Sequence, residues 1–237
     1  MEGSAPDSSL FVADGIGVAY GQSQIIENLS LRVRENEIVA ILGLNGMGKT
    51  TLMRALIGLL PVRRGHIVLD GKDLTEREPY ERVLQGLAYV PQGRLIFPKL
   101  TVEENILTGV KSDDAEPNPE IYRFFPVLKE MRKRRGGNLS GGQQQQLAIA
   151  RALASEPRVL LLDEPTEGIQ PSIIKELAET LRNIKREKGL SIVVSEQVLS
   201  FALAIADRVL VLDRGHFVHE SAADQIDDRT IEKLMFA

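Results

Sequence analysis

The stretch that most limits what this chain can fold into is Ile38 to Leu56, IVAIL-GLNGMGKT-TLMRAL. The five apolar residues Ile38-Val39-Ala40-Ile41-Leu42 predict a strand buried on both faces, and Thr51 to Leu56 predicts a helix. Between them Gly43, Leu44, Asn45, Gly46, Met47, Gly48, Lys49 and Thr50 fit the pattern G-x-x-x-x-G-K-[ST]. A strand, a glycine-rich loop and a helix in that order form a phosphate cradle. The glycines let backbone N–H groups wrap an anion, Lys49 adds positive charge, and the Thr50 hydroxyl can hold Mg²⁺. A chance glycine-rich turn of this pattern arises in about one chain in a hundred of this length, and the flanking strand and helix argue against it.

A second stretch, Asn138 to Pro171, carries the complementary signals. Ser140-Gly141-Gly142 opens a helix: Ser140 can cap it, and the glycines let backbone amides approach an anion backed by the helix dipole. Leu147, Ala150 and Ala154 follow at helical spacing as a buried stripe. Past Pro157, Val159-Leu160-Leu161-Leu162 predicts an interior parallel strand. It ends in Asp163-Glu164, two carboxylates at the strand edge where open α/β sheets place their chemistry.

The order GLNGMGKTT, VPQ, LSGGQ, LLLDEP resembles the nucleotide-binding subunits of ABC transporters over almost the whole chain. VPQGRLIFPKLTVEENI resembles the branched-chain amino acid group of importers, and LSGGQQQQLAIARAL and LLLDEPTEGIQPSIIKE resemble the urea-transporter ATPase subunits within it. The resemblance implies an α/β P-loop NTPase fold, the ABC nucleotide-binding domain: a RecA-like core, an antiparallel β subdomain and an inserted α-helical subdomain. It places the core at 10–93 and 139–237, the helical subdomain at 94–138, and a disordered leader at 1–9.

It also implies ATP and Mg²⁺ as cofactors and assigns roles residue by residue. Tyr20, just before Gly21, stands where the family stacks an aromatic ring on adenine; the alternative is an ordinary strand aromatic. Lys49 and the loop amides of Gly46 to Thr51 neutralise phosphate charge, Thr50 binds Mg²⁺, and Asp163 holds the ion from one layer further out. Gln92 stands where the family's glutamine reaches Mg²⁺ or the attacking water. Glu164 is the candidate general base, with a purely structural carboxylate as the alternative. Ser140, Gly141, Gly142 and Gln143 form the signature motif, which in the family closes on the nucleotide of a second ATPase subunit. Two permease subunits and an extracytoplasmic binding protein complete such an importer, with the ATPase peripheral on the cytoplasmic face of the inner membrane.

Composition adds exclusions. The chain has 237 residues, a net charge of −4 with both signs interspersed, and no cysteine. That length suits one large domain or one with a small inserted lobe, disulfides and thiolate metal sites are excluded, and nothing global suggests nucleic acid. The first ten residues lack the pattern of a secretory signal, and no apolar run approaches the roughly 20 residues of a membrane span, so a soluble chain with partner-mediated membrane association is expected.

Along the chain, Leu10 to Val33 predicts short antiparallel strands turning at Gly15, Gly17 and Gly21. A helix over 50–59 stops near Gly58 and Pro61, a turn at Arg63-Arg64-Gly65 leads into Ile67-Val68-Leu69, and Asp70-Gly71 turns again. Leu87 to Val90 predicts a strand, Thr101 a helix cap, and Pro117 and Pro119 a punctuated polar segment. Ile121 to Arg135 predicts one amphipathic helix whose basic end, Lys129 to Arg135, favours its own C-terminal dipole rather than lipid or nucleic acid. Phe124-Phe125 reads as core of the lobe. Ile173, Leu177, Leu181 and Ile184 mark a core-facing helix, Ser191 to Val194 a strand, and Val209 to His219 a hairpin turning at Asp213-Arg214-Gly215. With the last residue at Ala237, the extra regulatory domain of some importer ATPases is not expected.

Two positions depart from the general family pattern. Gln197 stands where most members have a histidine, and Gln170 where most have an aspartate. Gln197 can donate a hydrogen bond to a phosphate but carries no charge; glutamine there resembles the branched-chain amino acid group. Three functions follow from the resemblance: an importer ATPase for urea or short amides, one for branched-chain amino acids, or a hydrolysis-impaired switch or soluble ABC protein. About 90 residues separate cradle and signature, room for a compact lobe only, which disfavours the coiled-coil insertions of soluble members. The absence of N-K-x-D disfavours a GTPase.

Overall fold

The computed structural model describes residues 9–110 and 118–226. In chain order the strands are β1 (Ser9–Tyr20), β2 (Ser23–Arg34), β3 (Ile38–Leu42), β4 (Arg64–Leu69), β5 (Lys72–Asp73), β6 (Leu87–Val90), β7 (Val159–Asp163), β8 (Ser191–Glu196), β9 (Arg208–Asp213) and β10 (His216–Ala222). The helices are α1 (Lys49–Ile57), α2 (Pro79–Leu84), α3 (Val102–Leu107), α4 (Pro119–Phe124), α5 (Pro126–Glu130), α6 (Gly141–Leu153), α7 (Pro171–Lys188) and α8 (Leu199–Ile205). They build two sheets: an antiparallel one ordered β2-β1-β4-β5, and a six-stranded one ordered β10-β9-β3-β8-β7-β6. In the second sheet β9, β3, β8, β7 and β6 run parallel, and β10 closes the edge antiparallel.

The uninterrupted apolar sequence of β3 follows from its place between two cores. Ile38, Ala40 and Leu42 pack into a cluster with α6, α7 and α8, whereas Val39 and Ile41 pack into another with α1 and the antiparallel sheet. A strand covered on both faces has no position for a polar side chain. The parallel register then sets the site. Leu42 is level with Glu196, and Asp163 with Ser195, so the chain leaves β3, β7 and β8 at one shared edge.

Several expectations are corrected. The runs from Leu10 to Val33 are one hairpin of two long strands, with Gly15 a left-handed kink inside β1 rather than a turn between strands. Ser9 belongs to β1, so the predicted leader is cut back to residues that lie outside the described ones. Arg64 and Gly65 are already in β4, and α1 runs from Lys49 to Ile57 rather than over 50–59. The helix predicted over Ile121 to Arg135 is two short helices, because Pro126 cannot donate the bond that would carry α4 onward. The basic run therefore turns rather than ending a helix: the carbonyls of Arg132 and Arg134 accept from the amides of Glu103 and Val102. Of the aromatic pair, Phe125 is buried, and Phe124 is partly buried with the Arg123 guanidinium over its ring. Pro117 lies outside the described residues.

Helix starts agree with local chemistry. Thr101 and Glu104 form a reciprocal capping box on α3, and Ser140 and Gln143 form one on α6. α1 differs. Its N-cap is Gly48, with no side-chain cap at all.

Candidate functional site

The loop from Gly43 to Gly48 leaves β3 and turns into α1 under tight steric limits. A Cβ on Gly43 would stand 2.5 Å from the Leu212 carbonyl oxygen on β9, and Gly48 sits at φ 105°. Neither place admits another residue without strain. Among the described residues, the amides of Gly46, Gly48, Lys49, Thr50 and Thr51 donate to no protein acceptor, and the first bond of the turn is Leu52 N–H to the Gly48 carbonyl. Five unpartnered N–H groups on a loop and helix start make an anion cradle, matching a polyphosphate.

Lys49 is buried beneath this loop. Its ammonium donates to the carbonyls of Gly43 at 2.7 Å and Leu44 at 2.9 Å and pairs with Glu164 Oε1 at 3.0 Å. Glu164 holds φ 48°, a left-handed backbone that turns the chain at the end of β7. Its other oxygen accepts from Gln197 Nε2 at 3.1 Å and faces Gln92 Nε2 at 3.4 Å. Gln197 Nε2 also donates to Asn45 Oδ1 at 2.8 Å, tying the β8 edge to the cradle. Ile25, Asn45, Gly46, Gly48, Lys49 to Thr51, Gln92 and Glu164 enclose a cleft of about 260 Å³.

Asp163 lies beside them, buried and without an ion-pair partner among the described residues. Oδ1 accepts from Ser195 Oγ at 2.6 Å and Thr50 Oγ1 at 3.2 Å, and Oδ2 accepts from Tyr89 at 3.2 Å. Burial pushes its pKa above the ordinary carboxylate value; the three hydroxyls pull it back and the nearby Glu164 adds to the rise. Burial and the Asp163 charge likewise push the Tyr89 phenol up. A buried carboxylate beside a threonine hydroxyl, with no protein cation of its own, suits Mg²⁺, which keeps most of its ligands as water and phosphate oxygen. No cluster of three metal-binding side chains occurs among the described residues, as that mode of binding requires none.

The fold thus brings Gly43 to Thr51, Gln92, Asp163, Glu164 and Gln197 to one edge. Tyr20 does not line the cleft: it is the half-exposed last residue of β1, paired with Ser23. Ser140, Gly141, Gly142 and Gln143 lie elsewhere, at the start of α6. There Gly142 packs on Ile173 of α7, and Gly141 approaches Arg94 and the Gly168 carbonyl. The amides of Gly141 and Gly142 have no protein acceptor among the described residues. Tyr89 and Ser195 escaped the sequence reading. Their signal is a hydroxyl near the end of a largely apolar strand: Ser195 is level with Asp163 on the neighbouring strand, and Tyr89 is level with Leu161, two residues before Asp163.

The family model described as "ABC transporter" matches residues 26–167. The chain belongs to the ABC transporter family. Among its ABC relatives, the high-affinity branched-chain amino acid transport ATP-binding protein BraG of Pseudomonas aeruginosa is 39% identical over 215 residues, 89% of this chain and 92% of that one. The probable branched-chain amino acid transport ATP-binding protein LivF of Archaeoglobus fulgidus is 33% identical over 224 residues, 92% of this chain and 95% of that one. Among solved structures, the ATP-binding cassette MJ1267 superimposes with a TM-score of 0.83 at 25% identity, covering 97% of this chain and 99% of its own. The two sheets and flanking helices are therefore the ABC ATP-binding fold. No helix among the described residues is long and apolar enough to cross a membrane.

Proposed function

We propose that this ABC protein is the ATP-binding and ATP-hydrolysing subunit of an importer of the branched-chain amino acid group. The observation that carries the proposal is the meeting of Lys49, Glu164, Gln197 and the Thr50–Asp163 pair at one cleft lined by unpartnered amides. The cradle amides and Lys49 bind the phosphates of ATP. Thr50, Asp163 and Gln92 are the groups that would hold Mg²⁺, whose charge offsets that of the phosphates. Glu164, at the cleft wall, takes the proton of the attacking water. Gln197 fixes the Glu164 carboxylate against Asn45 and can donate to a phosphate oxygen by giving up one of those two bonds, and Tyr20, half-exposed at the end of β1, is available to stack on the base.

The signature residues Ser140 to Gln143 stand apart from the chain's own cleft, which supports their acting on the nucleotide of a second ATPase subunit, identical or related. Differential binding of ATP to the closed pair then drives two permease subunits, with an extracytoplasmic binding protein delivering cargo. The ATPase sits peripherally on the cytoplasmic face of the inner membrane.

Branched-chain amino acids are the cargo that the names of BraG and LivF support. Urea or a short amide is the second reading, carried by the strings LSGGQQQQLAIARAL and LLLDEPTEGIQPSIIKE. Uptake of labelled leucine and labelled urea, in cells whose only copy carries Lys49→Ala, separates them, with expression and membrane association of the variant checked in parallel. Loss of leucine uptake alone supports the first, loss of urea uptake alone the second. Retention of both contradicts the importer role for these cargoes.

A further inference from the structure

Next to Glu164 at the same sheet edge stands a second buried carboxylate that the chemistry above does not use. Glu196 ends β8 and is 2% exposed. No lysine, arginine or histidine pairs with it among the described residues. Its oxygens are held by three backbone amides: Oε1 accepts from Thr166 N at 3.0 Å, and Oε2 from Gln197 N at 3.1 Å and Val198 N at 3.3 Å. Burial pushes its pKa up, while the three N–H groups favour its charged form.

Those amides come from two loops. Thr166 lies two residues past Glu164 on the loop that leaves β7, whereas Gln197 and Val198 begin the loop that leaves β8. The strand backbones also meet there, since Glu164 N–H donates to the Ser195 carbonyl at 3.0 Å. Beyond that bond the sheet ladder stops, and Glu196 bridges the loops one step further out. The far side of the same loops carries Gln197 Nε2 to Glu164 Oε2 at 3.1 Å. A buried amide left without its acceptor is costly, so Glu196, by holding amides of both loops, resists their separation beyond the Glu164–Ser195 and Gln197–Glu164 bonds.

We propose that Glu196 is a positioning residue that locks the Glu164–Thr166 loop to the Gln197–Val198 loop, so that Gln197 and Glu164 meet over the phosphate cradle and move as one unit. It touches no substrate and acts through Gln197. The kinetic part of this inference rests on the ATPase function proposed above; the coupling of the loops does not.

The test uses the full chain and its Glu196→Gln variant, which keeps the side-chain shape but turns one acceptor into a donor. Hydrogen exchange read on peptides spanning 163–168 and 195–199 should speed up together by about tenfold or more, with α1 unchanged. ATP turnover per bound nucleotide should fall by about tenfold or more, because small misplacements at a reacting centre are expensive. KM for ATP should stay within about twofold, because the cradle is untouched. In a Gln197→Ala background the same change should lower turnover less than about twofold. Loosening of one loop alone, unchanged turnover per bound nucleotide, or an undiminished effect in the Gln197→Ala background would each overturn the proposal. A wild-type chain that hydrolyses no ATP would refute the ATPase function instead, and the exchange result would still decide whether Glu196 couples the loops.

Discussion

Lys49 Nζ lies 3.0 Å from Glu164 Oε1, and both side chains are buried. One residue starts α1 and the other follows β7, so the pair joins the phosphate cradle to the edge that carries the carboxylates. At such burial neither charge is well solvated, and each supplies much of what water would have given the other. An anion at the cradle competes with Glu164 for the same ammonium. Binding at the loop and the freedom of the carboxylate are thereby linked.

Gln197 is the other contact that orients Glu164, and it ties that carboxylate to Asn45. Gln197→Ala should lower steady-state ATP turnover by about tenfold to a hundredfold through the loss of a positioned hydrogen-bond donor. The melting temperature should change little, since the side chain is only partly buried. Phosphate-release kinetics and a thermal melt on the same preparation check both halves.

Asp163 should trade stability for metal binding. Its pKa is raised in the folded protein above the ordinary 3.8, mainly by burial. As pH climbs past 3.8 the unfolded chain releases this proton first, so the native state holds more protons. Stability from this group therefore falls with rising pH until the folded pKa is passed. Asp163→Asn removes the buried charge and keeps an acceptor for Thr50 and Ser195. It should raise the urea midpoint at pH 7.5, with the gain shrinking toward pH 4, while Mg²⁺-dependent turnover is lost. A lowered midpoint at pH 7.5 would show that the hydroxyl contacts outweigh burial.

Arg82 should prove a pillar of the cradle from behind. It is fully buried, and its guanidinium donates to the carbonyls of Ala55 and Leu56 at the end of α1 and to those of Arg77 and Thr75. Among the described residues the Leu56 carbonyl has no backbone donor and the Ala55 carbonyl has only the Gly58 amide, and a cation at this helix end is favoured by the dipole. Arg82→Ala should destabilise the protein by about 3 kcal/mol, from several charged hydrogen bonds lost at a buried site. Urea unfolding should show a lower midpoint with an unchanged slope.

What could be read from the residues depended on the range of the interaction. β3, β6, β7 and β8 were legible because strands covered on both faces carry apolar runs, and the caps at Thr101 and Ser140 because a capping box spans four residues. Pro126 splitting the predicted lobe helix was visible in principle, but the periodicity from Ile121 onward masked it. The short helices α2 and α8 carry too few residues to show a period, and Arg82 gives no local hint that it will be buried. At the site, Lys49, Thr50, Asp163 and Glu164 belong to contiguous motifs. Tyr89 meeting Asp163, or Glu196 meeting Thr166, depends instead on the register of parallel strands far apart in sequence. The branched-chain and urea readings differ in cargo, which no residue of the cleft contacts by virtue of the motif, so short strings could not separate them.

The central claim is that Glu164 serves as the base for ATP hydrolysis at the cleft built by Lys49 and Thr50. The most direct measurement is Mg²⁺-dependent ATP turnover by the purified protein and its Glu164→Gln variant, with ATP affinity read by equilibrium binding. Turnover should fall by about a hundredfold or more on loss of a general base, while affinity is retained or tightened because Lys49 no longer has a carboxylate competing for it. Turnover at the wild-type rate in Glu164→Gln would remove Glu164 as the base and contradict the mechanism.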